Sequence, residues 1–155
     1  MFDVPADTTW LWVGLVLVSA TMLGVTLSLP TAPPDAERAA STIDSVAATD
    51  YPGSATIDLQ AEAVKIDSER ISLRGAGGRA HADIQYGPVT PVPPNSRLER
   101  VLDGQSPASV FDGSIAFAGA AERATGRPAS WRENSETLRV RQVTYGEVNR
   151  VLVGA

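Results

Sequence analysis

The sequence predicts an α+β protein: an N-terminal transmembrane helix and a short amphipathic helix, followed by a small, mainly antiparallel β-rich domain. Three observations carry that expectation. An uncharged apolar run covers residues 10–29, an Ala-rich stretch with helical spacing covers 35–49, and from Ser54 onward apolar and polar residues alternate. The predicted organisation is a short polar N-terminus at 1–9, the transmembrane helix at 10–29, a Pro-kinked joint with the amphipathic helix at 30–52, and the β-rich domain at 53–155. Of the 155 residues, roughly 100 lie beyond the first helices, enough for one modest core and not for two. With 43% apolar and 20% charged residues, an ordered fold is expected.

The apolar run reads WLWVGLVLVSATMLGVTLSL, and its nearest charges are Asp7 and Asp35. Twenty helical residues at 1.5 Å each span about 30 Å, the thickness of a bilayer's hydrocarbon core. Ten of the twenty are Leu or Val. These favour insertion by about 3–6 kcal/mol before Gly, Ser and Thr subtract some. Trp10 and Trp12 stand at one end, where amphipathic rings prefer the headgroup level, and are predicted at the membrane interface. Ala20, Gly24 and Ser28, four apart, give one face the small-xxx-small pattern that lets membrane helices pack closely. The same residues are also simply common in such helices. A buried core helix and a cleaved secretory signal are the rival readings. Twenty uncharged residues are long for a core helix. A signal needs Lys or Arg before its apolar part, and MFDVPADTT has neither.

Pro30 should end or kink this helix, and Pro33 and Pro34 stiffen the joint. In the next helix Ala36, Ala39, Ala40, Ile43, Val46 and Ala47 form a weak apolar stripe, with Asp35 and Glu37 in the first turn, where the helix dipole favours them. So weak a stripe has to pack against the domain or a neighbouring copy. Pro52-Gly53 stops it.

SATIDLQ, AVKID, ERISLRG and RAHADIQY alternate with a period of two, and Gly75-Ala76-Gly77-Gly78 reads as the turn between the last two; together they predict a β-meander. GPVTPVPPN is an extended, Pro-rich connector. Ser96–Gly104 fits either a short helix or a strand, and Ser114–Ala124 is equally ambiguous. Thr125–Ser135 reads as a loop. TLRVRQVTY and EVNRVLVG flank Tyr145-Gly146 as a terminal hairpin. Leu138, Val140, Val143, Val148, Val151 and Val153 are its inward candidates, and their register stays open.

Chemistry is sparse. His81 is the one histidine and there is no Cys, so no zinc site and no disulfide is expected. No nucleophile-elbow pattern accompanies His81, and no catalytic residue is assigned. The pairs Asp67/Glu69 and Glu133/Glu136 lack further oxygen ligands in a recognisable loop and read as acidic surface. The GAGG turn lacks the lysine of a phosphate loop and leads into a strand. No cofactor and no metal is predicted. Net charge is −5 with no Lys/Arg run, so nucleic acid is not an expected partner. Arg139, Arg141 and Arg150 fit the outward face of the last hairpin, paired with neighbouring strands or meeting an acidic partner. Trp131, in the polar stretch RPASWREN, is either an interface anchor or a lid over the core, and is the candidate partner contact.

WLWVGLVLVSATMLGVTLSL, then DAERAASTIDSVAAT, then strands from Ser54 is an order of parts that resembles pilin-like proteins of archaea and bacteria. Twelve of the 13 basic residues are Arg, beside abundant Asp, Glu, Ala and Thr. That usage is similar to salt-loving microbes and also fits a GC-rich genome. The whole resembles small haloarchaeal membrane proteins encoded near type IV pilus or secretion genes. The chain departs from pilin precursors in lacking the basic residue and Gly before the apolar helix, and the acidic residue early within it. The resemblance implies a non-enzymatic, single-pass envelope protein with its C-terminal domain outside the cell. Its partners would be the lipid bilayer and other pilin-like or secretion-system membrane subunits. An anchored extracytoplasmic domain that binds a ligand or the cell wall is the alternative.

Overall fold

The computed structural model describes residues 31–155, and among them no helix is long and apolar enough to cross a membrane. The predicted transmembrane helix at 10–29, with Trp10, Trp12, Ala20, Gly24 and Ser28, lies outside the described residues.

Helix α1 (Ala36–Ala47) begins where the sequence puts it. The Asp35 carboxylate accepts the Arg38 N–H at 2.9 Å, satisfying an orphan donor of the first turn. Ala36, Ala39, Ala40, Ile43 and Val46 are all buried, so the weak stripe is held by packing against the domain. It touches strands of both sheets described next. Its Asp44 carboxylate accepts the backbone N–H groups of Gln85 and Tyr86, each at 2.9 Å, tying the helix to the segment after β4.

The meander is β2 (Ala63–Ile66), β3 (Arg70–Gly75) and β4 (Gly78–Asp83), antiparallel throughout. Gly78, with φ +118°, adopts backbone geometry that side chains rarely reach, which closes the turn in two residues. A two-residue strand, β6 (Arg132–Glu133), pairs with the other edge of β2 inside the predicted loop, giving the order β4-β3-β2-β6. β1 (Ser54–Asp58) leaves the meander and pairs antiparallel with β7 (Thr137–Tyr145). The reason is that β7 offers nine residues and has two edges, of which the hairpin to β8 (Val148–Gly154) fills one. β5 (Thr90–Pro91) runs parallel to β8 on its far side, so the second sheet is ordered β1-β7-β8-β5.

Both ambiguous stretches are helical. α2 (Arg97–Leu102) starts with a variant of the capping box, in which Glu99 reaches one residue beyond the N-cap Ser96. The Ser96 hydroxyl accepts the Glu99 N–H at 3.2 Å, and the Glu99 carboxylate accepts the Asn95 N–H. A short helix, α3 (Pro107–Val110), follows, then α4 (Ser114–Thr125).

Two apolar cores result, one on each face of the β1-β7-β8-β5 sheet. Ile43, Ile71, Leu73, Leu138, Val140 and Val153 belong to the first, with α1 and the meander. Val143, Leu152, Leu98, Val101 and Phe117 belong to the second, with α2, α3 and α4. This settles the hairpin register. Leu138, Val140, Val151 and Val153 face α1, while Val143 and Val148 face the helices. Phe117 meets Phe111 and Tyr145 edge-on, with ring centroids 5.5 and 6.3 Å away. Gln142, the buried amide of β7, accepts from the Thr49 hydroxyl at 2.9 Å. At Gly154 a Cβ would lie 2.6 Å from Leu102 Cδ2, so glycine lets α2 sit directly on β8.

Candidate partner-binding face

Period-two geometry builds the site. Ile71 and Leu73 of β3 and Val64 and Ile66 of β2 are buried inward. Their neighbours Lys65, Arg70, Ser72 and Arg74 therefore project from the other face of the sheet. On β4, Ala80 and Ala82 pack inward and Arg79, His81 and Asp83 project outward. The register then sets Ser72 beside both Lys65 and His81, Arg70 beside Asp83, and Arg74 directly opposite Arg79.

Two cations face to face on adjacent strands repel each other. Trp131, just before β6, relieves this arrangement. The Arg74 and Arg79 guanidinium carbons lie 5.2 and 5.9 Å from its ring centroid, within cation–π range. Arg74 also pairs with Glu133. Trp131 belongs to neither apolar core; it is half-buried among charged side chains on the sheet face.

Beside the ring lies a hollow of about 270 Å³ lined by Lys65, Asp67, Arg70, Ser72, Arg79, His81 and Trp131. Arg70 Nε donates to Asp83 Oδ1 at 2.6 Å. That hydrogen bond, and then the charge of Arg70, hold the Asp83 carboxyl below the usual carboxylate range. Among the described residues, neither Lys65 nor Arg79 has a carboxylate within 4.0 Å. The hollow thus presents Lys65 and Arg79 free of a direct ion pair, Arg70 held by Asp83, a hydroxyl and an imidazole, with the single carboxylate of Asp67 among them. Such a set can hold an oxyanion or a carboxylate side chain. Among the described residues, no group of three His, Asp or Glu could hold a metal ion.

The chain is also recognised through its family. A family described as "Family of unknown function (DUF7283)" matches residues 3–143. The chain belongs to that family. The match takes in the apolar run as well as the head as far as β7, so both segments belong to one family pattern. No curated protein and no solved structure matches the chain.

Within this DUF7283 chain the sequence-predicted residues separate clearly. Trp131 stands at the hollow, and His81 joins it on the face opposite Ala80 and Ala82. Asp67 and Glu69 are exposed and line a neighbouring depression of about 570 Å³. Arg139 and Arg141 pair with a helix rather than a strand. Arg139 reaches Glu99 and Asp103, and Arg141 donates to the carbonyls of Val101 and Gln105, all at or just beyond α2. Arg150 donates to the Asn149 carbonyl. Lys65, Ser72, Arg74 and Arg79 were not singled out by sequence reasoning. The alternation in AVKID, RISLRG and GRAHAD already put each of them on its strand's polar side. Only the two-residue turn sets Arg74 against Arg79, and only the pairing of β6 with β2 brings Trp131 to them.

Proposed function

We propose that this chain is a non-enzymatic, membrane-anchored envelope protein. The apolar helix at 10–29 anchors it, the head stands outside the cell, and the Trp131 face docks an acidic region of a partner membrane subunit. An accessory subunit of a pilin-like or secretion assembly is the form this takes. One observation carries the reading: a tryptophan within cation–π range of two arginines, lining a hollow where Lys65 and Arg79 make no ion pair with a described carboxylate. Aromatic and arginine side chains are the groups that dominate protein interfaces. The anchor rests on twenty uncharged residues of bilayer length.

The same hollow favours a second reading, an anchored domain that binds an anionic small ligand or an acidic cell-wall polymer. A concave site lined by Trp131 is what that reading requires.

The test is membrane fractionation of a C-terminally tagged full chain, with protease protection on intact and opened cells. The tag is expected in the membrane pellet and cleaved on intact cells. Recovery of the unprocessed chain in the detergent-free soluble fraction overturns the anchor. Crosslinking in the same cells separates the two readings. Trp131→Ala is expected to abolish a defined subunit crosslink if the face docks protein. If the subunit crosslink persists while binding of acidic wall polymer is lost, the second reading replaces the first.

A further inference from the structure

A second surface, on the other side of the β1-β7-β8-β5 sheet, carries an independent inference. Where α2 and α4 meet, they leave a hollow of about 220 Å³ whose floor is Pro93, Leu98 and Ala124 and whose rim is Arg97, Arg123 and Arg127. Leu98 and Ala124 are buried parts of the second core, so the floor is fixed, while all three arginines are exposed. Among the described residues none of the three has a carboxylate within 4.0 Å. In a chain with 18 acidic and 13 basic residues, three unpaired cations around one hollow call for an account.

Helix electrostatics explains two of them. Arg123 lies in the last turn of α4 and Arg127 just beyond it, where the helix dipole favours cations. Arg97 is the opposite case. It opens α2, where the dipole disfavours a cation, and it stays at the rim with its guanidinium carbon 5.0 Å from the centroid of the Phe111 ring. On the same helical layer Ile115 is 88% exposed, a large apolar side chain without cover.

We propose that this hollow docks an acidic segment of a partner protein chain, seating an apolar side chain on the floor and carboxylates on the three arginines. Charge complementarity selects this occupant. Guanidinium groups grip carboxylates in bidentate fashion, and the apolar floor asks for a hydrocarbon side chain beside them. The inference uses none of the residues of the Trp131 face and stands apart from the anchored-envelope reading.

The experiment uses the full chain in the form in which it purifies, in lipid nanodiscs if it partitions with membranes and in detergent-free buffer if it does not, with the matching protein-free sample as the blank. The probe is a fluorescent twelve-residue peptide of Glu and Leu, compared with Gln/Leu and Glu/Ser versions. The Glu/Leu peptide is expected to bind about tenfold more tightly than either control, and Arg97→Gln/Arg123→Gln/Arg127→Gln should weaken it about tenfold, three exposed ion pairs each contributing a small factor. Raising salt from about 0.15 to about 1 M shortens screening from roughly 8 to roughly 3 Å and should also weaken it. Lys65→Gln/Arg79→Gln should leave it unchanged. Equal binding by the triple variant, equal binding of the Gln/Leu peptide, or no binding at millimolar peptide overturns the proposal. Equal binding of the Glu/Ser peptide or full competition by inorganic phosphate reduces the site to a plain oxyanion site and overturns it too. If only the Lys65/Arg79 variant loses the peptide, the segment sits at the Trp131 face, which sinks this inference and leaves the other reading standing.

Discussion

Asp83 shows how one strand register sets the chemistry of a single group. Opposite Arg70 across β3 and β4, its carboxyl is held in the ionised form by a hydrogen bond and by the guanidinium charge. A carboxyl whose folded value is depressed contributes stability above its unfolded value of about 3.9, and loses that contribution as pH falls through the folded value. Followed by NMR, Asp83 is expected to titrate below about 3.9, and Arg70→Ala should move it up toward that value. An unchanged Asp83 titration in the variant would mean that the pair does not form in solution. The sequence placed Arg70 and Asp83 on strands but could not make them partners. Their pairing depends on the two-residue turn at Ala76-Gly77, and a shift of one residue would send Asp83 to the opposite face. Trp131 follows the same logic. Its type and polar surroundings marked it, whereas its arginine neighbours come from a strand pairing of only two residues.

Among the elements, α1 was the most legible, because its stripe repeats over three turns and Asp35 caps its start; it ends at Ala47, short of the Pro52-Gly53 stop the sequence suggested. Ile43 is its one large, fully buried side chain. Ile43→Ala is expected to cost about 2–5 kcal/mol in denaturant unfolding, while Ser41→Ala on the exposed side should stay within about 0.5 kcal/mol. Equal effects would mean that the stripe is not what holds the helix. The terminal hairpin was legible for a similar reason, with long alternation around one glycine at φ +63°. α2 was not, since nine residues satisfy either period and only the Ser96–Glu99 box decides for the helix. In α4, SIAFAGAAERAT offers little contrast between faces, and its orientation follows from Phe117 filling the second core.

Across the described residues, the α+β, β-rich class was readable and topology was not. Alternation identifies strands without saying which of them pair, and β1 stands next to the meander in sequence while belonging to the other sheet. Arg132 spans that division. From β6 in one sheet it donates to the carbonyls of Val92 and Ala155 beside the other, and its partial burial lowers its pKa from the ordinary value. The β7–β8 hairpin has a larger effect, because it contributes side chains to both apolar cores. The helical side and the α1 side therefore share one wall. Calorimetry of the full chain should accordingly give one heat-absorption peak for the head, and weakening either side should move that one peak rather than split it. Two resolved peaks would show that the halves unfold separately. If they are joined as the hairpin implies, strain from a molecule bound on one flank of the sheet is felt on the other flank as a change in melting temperature, with no hinge between them.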